Sequence, residues 1–291
     1  MQRKNIKHSL CGILLSFFMT LGSGCMVSGM LSSSDNSSSL SNVQSSNGAG
    51  NSSSLGNSSS GSYVSDNLEI HFLTLGNQTS GDCTLIKTGN TEVLIDAGST
   101  TGSVDTIVPY ISKYCTDGVL EYVIVTHGDQ DHIAAFVGDD KDTTDGVFEN
   151  FECGIIIDFP KTTKSTQIYN NYVSLRNAEE KEGATHYTAL ECWNNSNGAK
   201  RSYTLSDGIT MNILYQKYYE QSTSTENNYS VCMLLSQGEN HFLFTGDLEK
   251  VGKNRLWRVI IFLNASYIKR DITAVIRQVR KCSFQKFSPK S

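Results

Sequence analysis

The segment from Val123 to Ile133, V-I-V-T-H-G-D-Q-D-H-I, places four potential metal ligands within six positions, directly after a β-branched run. The four ligands are His127, Asp129, Asp131 and His132. A divalent cation offsets the cost of burying carboxylates, and imidazole and carboxylate groups at the end of a strand can converge on one. The alternative is a polar turn in which one Asp caps the next helix. Such a turn has no need for two histidines, so the pattern favours a metal site.

The elements around this motif predict an α+β fold. The motif follows Leu120–Thr126, an apolar segment typical of a strand buried on both faces. Strands outnumber helices, which favours packed sheets with helices outside. The other predicted strands are Glu69–Leu75, Cys83–Lys87, Thr91–Asp96, Phe151–Phe159, Ser230–Ser236 and His241–Thr245, with a hairpin over Tyr203–Tyr215. The predicted helices are Ile107–Tyr114, entered after Thr106 or Ser103, and Gln167–Lys181.

Three motifs together resemble the metallo-β-lactamase superfamily, and within it the hydrolase domain of bacterial DNA-uptake competence proteins. H-G-D-Q-D-H resembles the family's H-x-H-x-D-H, with Asp129 in the second ligand place as in the competence branch. L-I-D-A-G-S contains Asp96, and F-L-F-T-G-D-L contains Asp247, at the places of two further family aspartates. The resemblance covers about Asn67 to Glu249. It implies a four-layer αββα sandwich, carboxy-terminally incomplete in this chain, with ligands on loops at one edge of the sheets.

The resemblance also implies roles for these side chains. The implied metal ligands are His127, Asp129, Asp131, His132 and Asp247. The first two would bind one cation, the next two a second cation, and the last would bridge them. Asp131 would also accept a hydrogen bond from the attacking water, which makes it the predicted catalytic residue. An alternative role for Asp247 is the N-cap of a helix that begins near Leu248.

Three residues are predicted to support the centre. Asp96 would orient the metal loop, as the corresponding Asp does in the family. Superfamily enzymes place a metal-binding His before the last Asp, but E-N-N-Y-S stands there in this chain. Asn228 and Ser230 are the candidates for that place.

The function implied is metal-dependent hydrolysis by a metal-activated water. We expect two divalent cations, zinc or manganese, because the ligand set mixes imidazole and carboxylate. The competence resemblance favours a nuclease or phosphodiesterase acting on a small-molecule or nucleic-acid phosphodiester. The alternatives are hydrolysis of another ester, amide or lactone, and a non-catalytic surface lipoprotein. A formal net charge of −5 argues against a broad basic surface for nucleic acid, and no protein partner is predicted.

The amino-terminal part predicts export. Basic residues precede the apolar stretch Leu10–Leu21, and small residues lead into Cys25, as in a bacterial lipoprotein signal. We therefore predict a signal peptide over residues 1–25 with lipidation at Cys25, and a Ser/Asn/Gly-rich tether over residues 26–66. The chain would be anchored to the outer face of the cell membrane through its lipid, or be secreted. The hydrolase domain is assigned to residues 67–252.

Residues 253–291 are predicted to be an aberrant tail. Acidic residues nearly vanish after Glu249, and the family's final His-His-Gly-Ser motif is absent. Asp271–Val275 can be encoded by codons whose adjacent reading frame gives His-His-Gly-Ser. A frame shift near Lys253 would explain this, and the alternative is a naturally divergent carboxy terminus. Such a loss would expose a sheet edge and remove a metal ligand.

Overall fold

The computed structural model describes residues 67–77, 79–139, 144–263 and 272–276. The predicted signal peptide, Cys25 and the tether lie outside the described residues, as do residues 264–271 and 277–291 of the predicted tail. Within the described part of the chain, no helix has the length and apolar character needed to cross a membrane.

Thirteen strands and six α-helices make up the described chain. The strands are β1 (Leu68–Phe72), β2 (Thr84–Thr88), β3 (Thr91–Ile95), β4 (Val119–Ile124), β5 (Gly138–Asp139), β6 (Thr144–Asp145), β7 (Glu152–Asp158), β8 (Thr185–Thr188), β9 (Ser202–Ser206), β10 (Ile209–Leu214), β11 (Cys232–Gln237), β12 (Asn240–Phe244) and β13 (Ile272–Ile276). The helices are α1 (Val104–Ile111), α2 (Gln130–Val137), α3 (Val147–Asn150), α4 (Gln167–Glu182), α5 (Ala189–Asn194) and α6 (Lys250–Leu263).

Two large sheets share one core. The first has the order β1-β2-β3-β4-β7-β8 and is parallel from β3 to β8, whereas the second has the order β13-β12-β11-β10-β9. The rings of Tyr122 and Tyr203 meet across the two sheets with centroids 5.5 Å apart. Thr88 and Ser206 share a hydrogen bond of 2.6 Å between their hydroxyls. The sheets therefore pack face to face.

Helices cover the outer faces of both sheets. Phe136 of α2, Phe148 of α3 and Tyr172 of α4 form one aromatic cluster over the first sheet. On the second sheet, alternate residues of β11 point to opposite sides, so that Leu235 joins the main core while Leu234 packs with Leu256 of α6. The αββα arrangement predicted from the sequence is confirmed.

Several element boundaries differ from the sequence prediction. Helix α1 begins at Val104, after Ser103, rather than at Ile107. The sequence predicts a loop where helix α2 lies. Its eight residues are too few to show a clear helical period. Strand β8 and helix α5 were not predicted either, since T-H-Y-T and A-L-E-C-W-N are short and mixed in polarity. The short strands β5 and β6, helix α3 and strand β13 were not predicted from the sequence. The other strands lie within a few residues of their predicted positions.

The boundary predicted at residue 252 falls inside an element. Helix α6 runs from Lys250 to Leu263 across it. Strand β13 contains four of the five residues Asp271–Val275 that were ascribed to a shifted frame, and it pairs in parallel with β12. A backbone strand forms from many sequences, so this pairing does not test the frame shift. That origin of the tail stays a prediction.

Candidate metal centre

The candidate ligands meet where several strands end. Asp96 directly follows β3, and His127 follows the parallel strand β4 after two residues. His132 lies in the first turn of α2, and Asp247 lies in the turn between β12 and α6. Because carboxyl ends of parallel strands meet at one edge of a sheet, residues far apart in the sequence converge here.

Three potential ligands form a compact group. One ligand atom from each of His127, His132 and Asp247 lies within 4.8 Å of the others. The two imidazole rings lie 4.1 Å apart between centroids, and Nε2 of His132 is 3.8 Å from Oδ2 of Asp247. Both histidines are buried, while the Asp247 carboxyl remains 32% exposed. The group therefore opens to solvent on the Asp247 side.

Asp96 fixes the orientation of His132 from beneath the centre. Its Oδ2 lies 2.8 Å from Nδ1 of His132, and its two oxygens accept the backbone N–H and the hydroxyl of Thr126 at 2.7 and 2.8 Å. Burial alone would raise the pKa of Asp96, but the charge of His132 and these hydrogen bonds hold that pKa below its ordinary value. A carboxylate at Nδ1 keeps the proton on that nitrogen and leaves Nε2 to bind a cation.

Three aspartates surround His132. Burial would lower the pKa of His132, but the nearby carboxylates of Asp96, Asp82 and Asp247 raise it to about 10. A protonated imidazole is thus the compensating charge that the protein itself supplies. A divalent cation bound at Nε2 would replace that proton and neutralise the same carboxylates.

His127 has an imidazole nitrogen directed into the group. Its Nδ1 lies 3.0 Å from the Thr126 hydroxyl, whereas its Nε2 is fully buried and has no hydrogen-bond partner among the described residues. Oδ2 of Asp129 is 3.3 Å from this Nε2, but outside hydrogen-bond geometry. Burying an unsatisfied nitrogen is costly, so this atom fits a ligand to a cation.

Asp82 is a further potential ligand that the sequence did not reveal. It lies in the loop between β1 and β2, and its Oδ2 is 3.7 Å from Nε2 of His132. Burial raises the pKa of Asp82 to about 7, and the negative charges of Asp96, Asp247 and Asp131 act in the same direction. Its backbone N–H donates to the Asp131 carbonyl at 3.1 Å, which positions the loop against α2. A lone Asp in S-G-D-C shows no ligand spacing, so only the fold reveals it.

The other two predicted ligands lie beside the compact group. Asp131 is half-buried, and its Oδ2 accepts the Ser80 hydroxyl at 3.2 Å. Asp129 occupies the N-cap position of α2 but makes no side-chain cap bond. Its Oδ1 pairs instead with the ammonium of Lys164. The contact with His127, opposed by burial and aided by the ammonium of Lys164, holds the pKa of Asp129 well below its usual range.

Asn228 and Ser230 hold the turn that carries Asp247. The Ser230 hydroxyl accepts the Asp247 backbone N–H at 3.1 Å and donates to the Asn227 carbonyl at 2.7 Å. The Asn228 side chain bonds to Glu249 through both of its polar atoms, at 3.2 and 3.4 Å. Asn228 and Ser230, the candidates for the place of the missing His, thus use their side chains to hold the Asp247 turn.

The residues present therefore suit a divalent cation. His127, His132, Asp247 and Asp82 offer two imidazole nitrogens and two carboxylates, and the orphaned Nε2 of His127 lies among them. This ligand set suits zinc, and its oxygen content also suits manganese.

Comparison with known proteins agrees with the motifs. Residues 76–138 match the family model of the Metallo-beta-lactamase superfamily. That segment contains the predicted metal motif and Asp96, but it ends before Asp247. No curated protein is significantly similar to the chain in sequence.

Solved structures with this fold name also show similarity. The metallo-beta-lactamase fold protein YhfI of Bacillus subtilis is 12% identical with a TM-score of 0.34, over 62% of this chain and 62% of YhfI. A metallo-beta-lactamase of Cronobacter sakazakii with a HARLDQ motif is 13% identical with a TM-score of 0.35, over 69% of this chain and 68% of that one. The metallo-beta-lactamase of Hirschia baltica is 14% identical with a TM-score of 0.29, over 61% and 65%. Residues 76–138 are thus similar in sequence to the metallo-beta-lactamase superfamily.

Proposed function

We propose that this chain is a metal-dependent hydrolase that cleaves a phosphodiester by water attack at the centre formed by His127, His132 and Asp247. The observation that carries the proposal is the convergence of these three side chains, among them the buried Nε2 of His127, which makes no hydrogen bond within the described part of the chain. Such an arrangement is costly without a cation and is the usual setting for one.

Each residue has a distinct task in this proposal. A divalent cation, when bound, would lower the pKa of a bound water and stabilise the negative charge that develops on the substrate. His127, His132, Asp247 and Asp82 would hold the cation, and Asp96 keeps the His132 proton at Nδ1. Asp131 bonds to Ser80 through Oδ2, so its Oδ1 is the atom proposed to accept a proton from the attacking water.

The choice of a phosphodiester as the substrate rests on the sequence motif. Its support is the resemblance of the H-x-D-x-D-H pattern, with Asp129 in the second ligand place, to the hydrolase domain of competence proteins. A fold hosts many reactions, so the substrate must be tested directly.

The test compares three substrates with the full chain in the presence of zinc or manganese. These are a bis-aryl phosphodiester, single-stranded DNA and a chromogenic cephalosporin, and the matched variant is Asp247→Asn. We expect turnover of at least one phosphodiester and a loss of about 100-fold or more in the variant, because a ligand is removed. Turnover of the cephalosporin alone would move the activity to another hydrolase class. A chain with neither turnover nor a bound ion would be a non-catalytic protein.

We also propose that the chain is exported and held at the membrane by a lipid on Cys25. The support is the order of charged, apolar and small residues before that cysteine. In a bacterial host, the wild-type chain should sediment with membranes, whereas Cys25→Ala should be released as soluble or unprocessed protein. Equal distribution of the two would contradict the anchor.

A further inference from the structure

Lys164 places a positive charge at the edge of the metal centre. Its ammonium pairs with Oδ1 of Asp129, while Oδ2 of the same carboxylate lies 3.3 Å from Nε2 of His127. The side chains of Lys164 and Asp129 are only 28% and 24% exposed. Asp129, which the family resemblance makes a ligand of the first metal ion, is thus already paired with the Lys164 ammonium.

The segment that carries Lys164 is fastened to the metal loop by Glu226. Oε1 of this buried carboxylate accepts the Gly128 backbone N–H at 3.1 Å and the Thr162 hydroxyl at 2.7 Å. Oε2 accepts the backbone N–H and the hydroxyl of Thr163 at 2.6 and 2.7 Å. A Cβ added to Gly128 would approach Oε1 of Glu226 to 2.8 Å, so the two segments are in close contact. Lys164 is therefore held beside Asp129 by a buried network.

The position of this ammonium bears on how many cations the centre can take. A divalent ion bound to Asp129 would lie close to the Lys164 ammonium, and like charges in a partly buried site repel strongly. The segment E-N-N-Y-S also offers no imidazole to that side of the centre, and the side chains of Asn228 and Ser230 are engaged in the Asp247 turn. The opposite side keeps His132, Asp247 and Asp82.

We propose that Lys164 takes the place of a second metal ion, so that the centre binds one divalent cation per chain. The ion is held on the side of His132 and Asp247, and Lys164 neutralises Asp129. This inference rests on the proposed metal centre and replaces the two cations expected from the resemblance with one cation and one ammonium.

The test measures metal stoichiometry in the full chain by calorimetric titration with Mn²⁺ and Zn²⁺, and by elemental analysis after gel filtration. Lys164→Met removes the charge and keeps the length of the side chain. Lys161→Met is the matched control, because Lys161 lies in the same segment but its ammonium bonds to the Glu220 carbonyl. We expect one ion in the wild type and in Lys161→Met. Lys164→Met should bind a second ion at least about tenfold more tightly than the wild type binds any second ion. A tenfold change in Kd corresponds to roughly 1.4 kcal/mol.

Two tightly bound ions in the wild type would overturn this inference and leave the proposed hydrolase intact. No bound ion would overturn both. A single ion in Lys164→Met, with the protein folded by circular dichroism, would show that Lys164 does not exclude a second one.

The double variant Asp129→Asn/Lys164→Met, which removes both opposite charges together, provides a second test if Lys164→Met does not fold. The inference predicts that this variant retains one ion with an affinity within about threefold of the wild type, which is well below 1.4 kcal/mol. A loss of 100-fold or more would make Asp129 an essential ligand and overturn the inference.

Discussion

Nδ1 of His132 and Oδ2 of Asp96 lie 2.8 Å apart, and both side chains are buried. Asp96 also accepts two hydrogen bonds from Thr126, the residue before His127. One carboxylate therefore holds both histidines of the centre in place, directly through Nδ1 of His132 and indirectly through Thr126.

Replacing Asp96 should weaken cation binding without removing a ligand. Asp96→Asn keeps the shape of the side chain but no longer favours the proton on Nδ1 of His132. Loss of such an orienting partner typically lowers metal affinity by about 10–100-fold. Titration against a competing chelator measures the change. The exposed Asp105→Asn on α1 is the control and should leave the affinity unaltered.

His127 and Asp131 should separate cation binding from turnover. His127→Ala removes an imidazole of the compact group, so we expect it to lose both the ion and the activity. Asp131→Asn should keep the ion and lose about 100-fold in turnover, the effect of removing a proton acceptor. Elemental analysis and phosphodiester assays give the two readouts. Loss of the ion in Asp131→Asn would instead make Asp131 a ligand.

Gly98 leaves room for the first turn of α2. A Cβ at this position would lie 1.5 Å from the carbonyl oxygen of Asp131 and 2.8 Å from the backbone nitrogen of His132. Gly98→Ala must therefore displace α2, and overpacking of this kind costs about 1–3 kcal/mol. The melting temperature should fall by about 2–4 °C for each kcal/mol. Gly102→Ala, whose Cβ would approach no atom closer than 3.9 Å, serves as the control.

Glu92 should make stability depend on pH at a place remote from the metal motif. Burial raises the pKa of Glu92 from its ordinary value of 4.5 to about 7, against the opposing effect of the ion pair with Lys87. The folded chain thus binds a proton more tightly than the unfolded chain, so this contribution is complete below about pH 4.5 and is lost as the pH rises through 7. The melting temperature of Glu92→Gln minus that of the wild type should be more positive at pH 8 than at pH 5. An equal difference at both values would contradict this.

The sequence predicts the elements whose pattern is local. The apolar run before His127 indicates a buried strand, and β4 occupies Val119–Ile124. The hairpin predicted over Tyr203–Tyr215 is formed by β9 and β10, with Asp207-Gly208 between them. Alternating or continuous apolar residues decide these elements, because the side-chain period of a strand is two.

Contacts over long sequence distances could not be predicted. Asp82 approaches His132 across 50 positions, and Lys164 approaches Asp129 from the segment after β7. Neither residue belongs to a recognisable spacing, since their neighbours in the sequence offer no further ligands. Glu226 was noted only as part of the E-N-N-Y-S segment, and its bonds to Gly128 and Thr163 depend on the packing of the two sheets.

The two sides of the compact group belong to different sheets. His132 lies in α2, which follows β4 of the first sheet, and Asp247 follows β12 of the second. An ion shared by both would act as a clasp between the halves of the sandwich, and its binding energy would add to the resistance of the folded chain to opening. Chelation would then shorten the lifetime of the fold against proteases as well as stop the chemistry.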